Sequence, residues 1–296
     1  MNFFSKIKML RMETLLTSDS EEFQDATSVP YPTDELYNYE PLDRIVGAGI
    51  TTQRNIFGAR LCDCKDLTSF EMNQLTLFEI QLKKDEDMFS EIDPEDTRKL
   101  RFLQGCGWNF DLARNSLRDF LVWKNSRTNT TEFDPTQFYP MVYWYGRDKC
   151  YRPVLVIRCD EIPGMLQKMH TSTNVLSDII LDTMDFFVDK LAVPDHVEQL
   201  VVIADLKGFS LWDIPISEIQ IIVYKLSSYF RSRLHKVFLI NSPLLFYGIW
   251  TAIKGFIPER TAAKFHILDS KYIDYLLEHI EDGELCPFIG DPTPYA

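Results

Sequence analysis

Residues 236–268, KVFLINSPLLFYGIWTAIKGFIPERTAAKFHIL from Lys236 to Leu268, decide the fold. Val237 to Ile240 form a short apolar strand that stops at the polar Asn241-Ser242-Pro243. A segment apolar almost all round follows: Leu244, Leu245, Phe246, Ile249, Trp250, Ile253, Phe256 and Ile257. A helix without a polar face is by default a core helix. Strung between two strands of one sheet, it is equally a lid over an apolar cavity. The polar turn Pro258-Glu259-Arg260-Thr261 and a second strand, Phe265 to Leu268, close the stretch.

Outward from it, strands and helices alternate. Upstream, Met141 to Tyr145 and Val154 to Cys159 read as strands joined by the turn Gly146-Arg-Asp-Lys149. Asn174 to Leu191 reads as a long helix, and Leu200 to Ala204 as a strand buried on both faces, ending at Asp205-Leu-Lys-Gly208. The helix from Asp213 carries Ile219, Ile222, Val223, Leu226 and Phe230 on one face, and Lys271 to Ile280 forms a closing helix. This alternation implies an α/β domain.

Before it lie three shorter helical runs: Ser69 to Phe89, the run begun by Asp93-Pro94 that stops at Gly105, and one from Asp111 with Ala113, Leu117, Phe120 and Leu121 in register. The division expected is an acidic, flexible leader over 1–60, a helical module over 61–130 and an α/β domain over 131–296. From Glu13 to Asp43 the leader has no Lys or Arg and holds Pro30, Pro32 and Pro41, the composition of an extended or disordered run. Residues 1–12 are basic and apolar, suited to docking on the rest of the chain or weakly on a membrane surface.

A net charge of −13 argues against nucleic acid as a partner and against a strong nonspecific grip on anionic membranes. The apolar run near Leu244 is too short to cross a bilayer. The six cysteines are scattered, the five histidines keep no metal-ligand spacing, and no signal peptide opens the chain, so reduced thiols in the cytoplasm and no metal site are expected. No nucleophile elbow or phosphate-cradling loop appears. Gly47-x-Gly49 begins a dinucleotide-type turn, but Thr52 stands at the third glycine position. A nucleotide-dependent enzyme is therefore the alternative from another class, and the chain reads as no enzyme and as needing no cofactor. Asp205, at a strand's C-terminal end, reads as the tie of the turn to Gly208.

Five motifs in order resemble one family. RFLQGCGWNFDLARNSLRDFLVWK (Arg101 to Lys124), YGRDKCYRPVLVIR (Tyr145 to Arg158), LVVIADLKGFSL (Leu200 to Leu211), the opening stretch, and ELCPFIGD (Glu284 to Asp291) are similar to the CRAL-TRIO lipid-binding family over roughly residues 66–291. The resemblance implies a three-helix module before a mainly parallel sheet, with Leu244 to Ile257 as a gating helix over a pocket for one lipid. In its phosphatidylinositol-transfer branch, the family's T-x-x-K turn binds the headgroup and stands here as Thr261 and Lys264. Other positions depart: Tyr151 replaces a usual glycine, Cys106 and Gly107 a basic residue, Ser232 a glutamate, and Leu200 and Val202 the residues that face phosphatidylcholine.

The pocket and gate expected from this are Leu155, Leu200, Val202, Phe246, Ile249, Trp250, Ile253 and Phe256. The ligand expected is phosphatidylinositol or another anionic phospholipid, moved or presented between membranes with transient contact to a membrane surface. A lipid-regulated sensor or scaffold that meets protein partners through the acidic leader is the alternative. Carriage has a physical rationale. Two acyl chains hold about 30 methylenes at ~0.8 kcal/mol each, so bare transit through water costs roughly 25 kcal/mol. An apolar cavity removes most of that barrier.

Overall fold

The computed structural model describes residues 29–39, 69–85, 98–127, 133–170, 175–193, 196–208, 216–243, 246–257, 259–268, 270–286 and 289. The boundaries expected at 60 and 130, the leader on either side of 29–39, the glycine pair at 47 and 49, and the helix start at Asp93-Pro94 lie outside these residues.

Three helices come first: α1 (Ser69–Leu82), α2 (Arg98–Gly105) and α3 (Phe110–Arg127). They enclose their own small core of Phe78, Leu103, Ala113 and Leu117. Strands β1 (Val142–Arg147) and β2 (Pro153–Arg158) follow, then α4 (Ile162–Lys168) and α5 (Leu176–Phe186), which runs on as a π-helical turn, Phe187–Leu191. The remainder is β3 (Leu200–Asp205), α6 (Ile216–Tyr229), β4 (Leu234–Ile240), α7 (Phe246–Lys254), the single turn α8 (Glu259–Ala262), β5 (Phe265–Ile267) and α9 (Tyr272–His279).

The five strands form one sheet in sequence order, antiparallel between β1 and β2 and parallel from β2 to β5. Sequential parallel crossovers of one hand place their helices on one face. Accordingly α4, α5, α6 and α7 pack on the side of Leu155, Leu200 and Val237, while α9 and the C-terminal segment cover Val154, Val201, Phe238 and Ile240. The domain is therefore wound on one side only.

Two rows cross the helix-covered side. One runs Trp144, Leu155, Val202, Val237, Phe265; the next runs Val142, Ile157, Ala204, Leu239, Ile267. The first β-turn differs from the sequence reading: β1 continues through Gly146, and the turn falls at 148–152. Gly146 has φ +63°, and a Cβ there would lie 2.2 Å from the Glu284 carbonyl oxygen. Glycine thus lets the C-terminal segment press against β1.

The helical module docks through charge. Lys124 on α3 bonds Asp185 at 2.6 Å and Asp189 at 3.2 Å, and Arg127 bonds Asp182, all on α5 and its π-turn. Trp123 stacks on Tyr229 of α6 at 5.3 Å, so the ladder brackets an aromatic contact.

Residues 29–39, within the expected leader, lie against the domain: Pro30 and Pro32 preset an extended path, and Leu36 is buried between Val193 and Val197. An apolar anchor after two prolines is enough to dock an otherwise acidic run.

The two sheet faces differ in packing, and the same substitution on each should expose it. Val201→Ala, on the sealed face, is expected to cost about 2 kcal/mol, against about 1 kcal/mol for Val202→Ala next to it, by urea denaturation.

Candidate functional site: an apolar hollow under α7

The opposite face is sealed at its centre: Val201, Ile203, Phe238 and Ile240 are each at most 1% exposed. Across the sheet, Val202, Ile157, Phe265 and Ile267 are apolar, lie under the helix layer, and remain only half-buried. Val202 belongs to the central strand, flanked on both sides, so its exposure opens toward the helices and not toward a sheet edge. The helix above matches it. In α6, Ile219, Ile222 and Leu226 face the sheet, and none of its fourteen residues is fully buried. Two facing apolar layers, both left half-buried, mark a candidate hollow. Apolar lining of this kind is what a lipid chain fills.

α7 forms the outer wall. Asn241, at φ +52°, turns the chain out of β4, and its side-chain amide donates to Asp205 Oδ1 at 2.9 Å. The same oxygen accepts from the Lys207 N–H, so Asp205 ties the turn as expected. The Phe246 N–H bonds the Pro243 carbonyl and starts the helix. The helix is shorter than the sequence reading: it spans Phe246–Lys254, a turn carries Phe256 and Ile257, and Leu244 and Leu245 lie outside the described residues. Nor is it apolar all round. Phe246 and Ile253 point in and are buried, while Tyr247, Gly248, Thr251, Ala252 and Lys254 form an exposed outer face. Small and polar outer residues distinguish a wall from a core helix.

The expected pocket residues separate into two groups. Val202, Ile249, Trp250 and Phe256 are half-buried, with the Trp250 ring 5.0 Å from Phe265. Leu155, Leu200, Phe246 and Ile253 are buried in packed clusters. Ile157, Phe265, Ile267, Ile219, Ile222 and Leu226 were not named as lining by the sequence. Their alternation showed which way they faced, but not that the opposing surface stops short.

Thr261 and Lys264 come together at the start of β5, where the Lys264 N–H bonds the Thr261 carbonyl at 3.0 Å. Ala262 packs on Ile253 and Ile257, joining this turn to the end of α7. The Lys264 ammonium donates to the Leu234 carbonyl at the start of β4. Nearby, Arg101 and Arg233 both pair with Glu198, and Arg231 donates to the Gly105 carbonyl at 3.1 Å, over the Phe102 ring. Ser232, between the two arginines, takes φ +60° and accepts from Gln199. Nothing along the chain singles out Glu198 as the shared partner. Among the described residues no group of His, Cys, Asp and Glu has the arrangement of a metal site.

With this geometry in place, comparison identifies the architecture. The CRAL/TRIO domain matches residues 137–290, just over half of the chain. The chain belongs to the CRAL/TRIO family. It is similar to phosphatidylinositol/phosphatidylcholine transfer protein SFH9 of Arabidopsis thaliana, at 28% identity over 64% of this chain and 36% of that protein. It is also similar to the SEC14 cytosolic factor of Yarrowia lipolytica, at 27% identity over 63% of this chain and 41% of that protein. The chain thus spans roughly a third of the length of several curated relatives it matches. The crystal structure of Sfh5 shares the fold, with a TM-score of 0.52 at 16% identity over 66% of this chain and 80% of that one. Among the described residues no helix is long and apolar enough to cross a membrane.

One titration reports on the rim. His235 occupies the bulge where β3 and β4 slip register, and burial, then Arg152, Lys236, Lys264 and His279, hold its imidazole down to about 3. A histidine with a depressed folded value is neutral in the fold while the unfolded chain takes up a proton, so stability falls as pH drops from about 6.5 towards 3. Asp182 acts oppositely, because burial raises its carboxyl to about 6. The difference between wild type and His235→Asn isolates the histidine. It should shift against wild type by up to about 1.4 kcal/mol per pH unit below pH 6.5 and stay flat above pH 7, measured by urea denaturation at several pH values.

Proposed function

We propose that this chain holds one phospholipid in the hollow between α6, α7 and the sheet, and transfers or presents it between membranes. The observation that carries this reading is the half-exposed apolar lining around Val202 and Phe265, beneath helices, facing a sealed opposite side. The names of the transfer-protein relatives support it. The protein works by binding and release and performs no covalent step. α7 is the gate: its inner residues Ile249, Trp250 and Phe256 touch lipid, and its exposed outer face with Tyr247 meets the bilayer during exchange. The protein acts in the cytoplasm and touches membranes transiently, with the acidic leader available to protein partners.

The ligand class we propose is phosphatidylinositol or another anionic phospholipid, with Thr261 and Lys264 at its phosphate. A hydroxyl and an ammonium supply one neutral and one charge-assisted hydrogen bond to such a group. Lys264 is already oriented by the Leu234 carbonyl, which lowers the entropy of fixing a long side chain.

Two substitutions separate the parts of this reading in a vesicle-to-vesicle assay with labelled lipids. Val202→Trp fills the hollow and should reduce transfer of every phospholipid about tenfold or more, with an unchanged circular dichroism spectrum. Lys264→Gln should reduce transfer of phosphatidylinositol about tenfold and of a neutral lipid little. Absence of transfer by wild type, together with no lipid in its native mass spectrum, would overturn the proposal.

A further inference from the structure

The docked segment 29–39 holds more than its anchor Leu36. It meets three parts of the domain at once: the β1–β2 turn, the π-turn after α5, and the loop before β3. The buried Arg147 guanidinium donates to the carbonyls of Pro30 at 2.6 Å, Tyr151 at 2.6 Å and Leu191 at 3.2 Å. One carbonyl thus comes from the segment, one from the β-turn and one from the end of the π-turn. His196 Nδ1 lies 2.7 Å from the Tyr39 carbonyl oxygen. The Tyr31 ring meets Phe186 edge-on at 6.2 Å, and Phe186 in turn meets Phe133, inside the cluster that borders the hollow.

Tyr151 is the unusual member. Asp148 caps its turn, accepting from the N–H groups of Cys150 and Arg152, and the turn forces Tyr151 to φ +60°. A side chain other than glycine is strained there. The tyrosine reaches the segment twice: its hydroxyl donates to Glu35 at 2.9 Å, and its ring meets Tyr39 edge-on at 4.8 Å. A backbone cost is therefore set against a hydrogen bond and a ring contact that exist while the segment is docked. π-Turns interrupt the regular helical ladder and mark places where a helix adjusts.

We propose that residues 29–39 form a strap that holds the β1–β2 turn against the π-turn Phe187–Leu191, with Tyr151 as its latch. The strap closes the end of α5 from outside, and its release loosens the corner of the core at Phe133 and Phe186. An acidic segment with one aliphatic anchor and few buried contacts is displaceable, so the latch is where release would begin. The inference stands apart from the ligand reading, since its readouts need no lipid.

A double-mutant cycle in the full chain tests it, combining Tyr151→Gly with the pair Glu35→Gln and Tyr39→Ala. Thermal midpoints and hydrogen exchange of the amides of Phe187 to Val193 are measured. With the native strap, Tyr151→Gly should lower the midpoint by about 2–4 °C and speed exchange at least tenfold. In the Glu35→Gln/Tyr39→Ala background the same change should raise the midpoint or leave it unchanged, because only strain relief remains. Tyr151→Gly raising the midpoint in both backgrounds, lowering it equally in both, or leaving exchange at 187–193 unaltered would each overturn the latch. All variants alter partly exposed side chains, so loss of folding is not expected to obscure the cycle.

Discussion

The sealed packing of one sheet face is what allows the other to stay open. Phe238, Val201, Ile203 and Ile240 are removed from water almost completely under α9 and the C-terminal segment. That side supplies the cohesion of the sheet, at about 1.5–3 kcal/mol per fully buried aliphatic or aromatic side chain. The helix-covered side forgoes part of the same gain at Val202, Ile157, Phe265 and along α6. A half-covered apolar surface is tolerable when the rest of the domain holds the strands in register.

Charge performs a different task. Ion pairs help join the helical module to the domain, Lys124 and Arg127 with the α5 aspartates and Arg101 with Glu198. Pairs of this kind add little net stability after desolvation, but they define which surfaces meet. They set the module beside α6, so Trp123 on Tyr229 supports the outer side of the helix that roofs the hollow. Arg147 works in the same manner at the opposite corner, where its guanidinium bonds backbone carbonyls of three segments.

Much of this was legible along the chain. The run Leu200 to Ala204 has no polar residue and lies centrally in the sheet, as a strand buried on both faces should. The polar stop Asn241-Ser-Pro243 ends β4 because a left-handed asparagine turns the chain there. Less visible was the outer face of α7: Tyr247, Gly248 and Ala252 are apolar by type, so their exposure could not be separated from burial by composition. The docked segment was hidden for the opposite reason. Its acidic and proline-rich composition resembles that of a free leader, and a single leucine that finds a pocket leaves no periodic trace.

By itself, the order of apolar strands and helices determined an α/β domain with a mainly parallel sheet. Periodicity states which way a side chain points, and that is enough to assign a face. Whether the facing surface reaches it is a matter of distances between distant parts of the chain. Only the tertiary structure decided that Val202 and Ile203, neighbours of like character, differ completely in burial. The same holds for α7. Its residues were consistent with core or lid, and the structure buries only Phe246 and Ile253 while exposing Tyr247, Gly248, Thr251, Ala252 and Lys254.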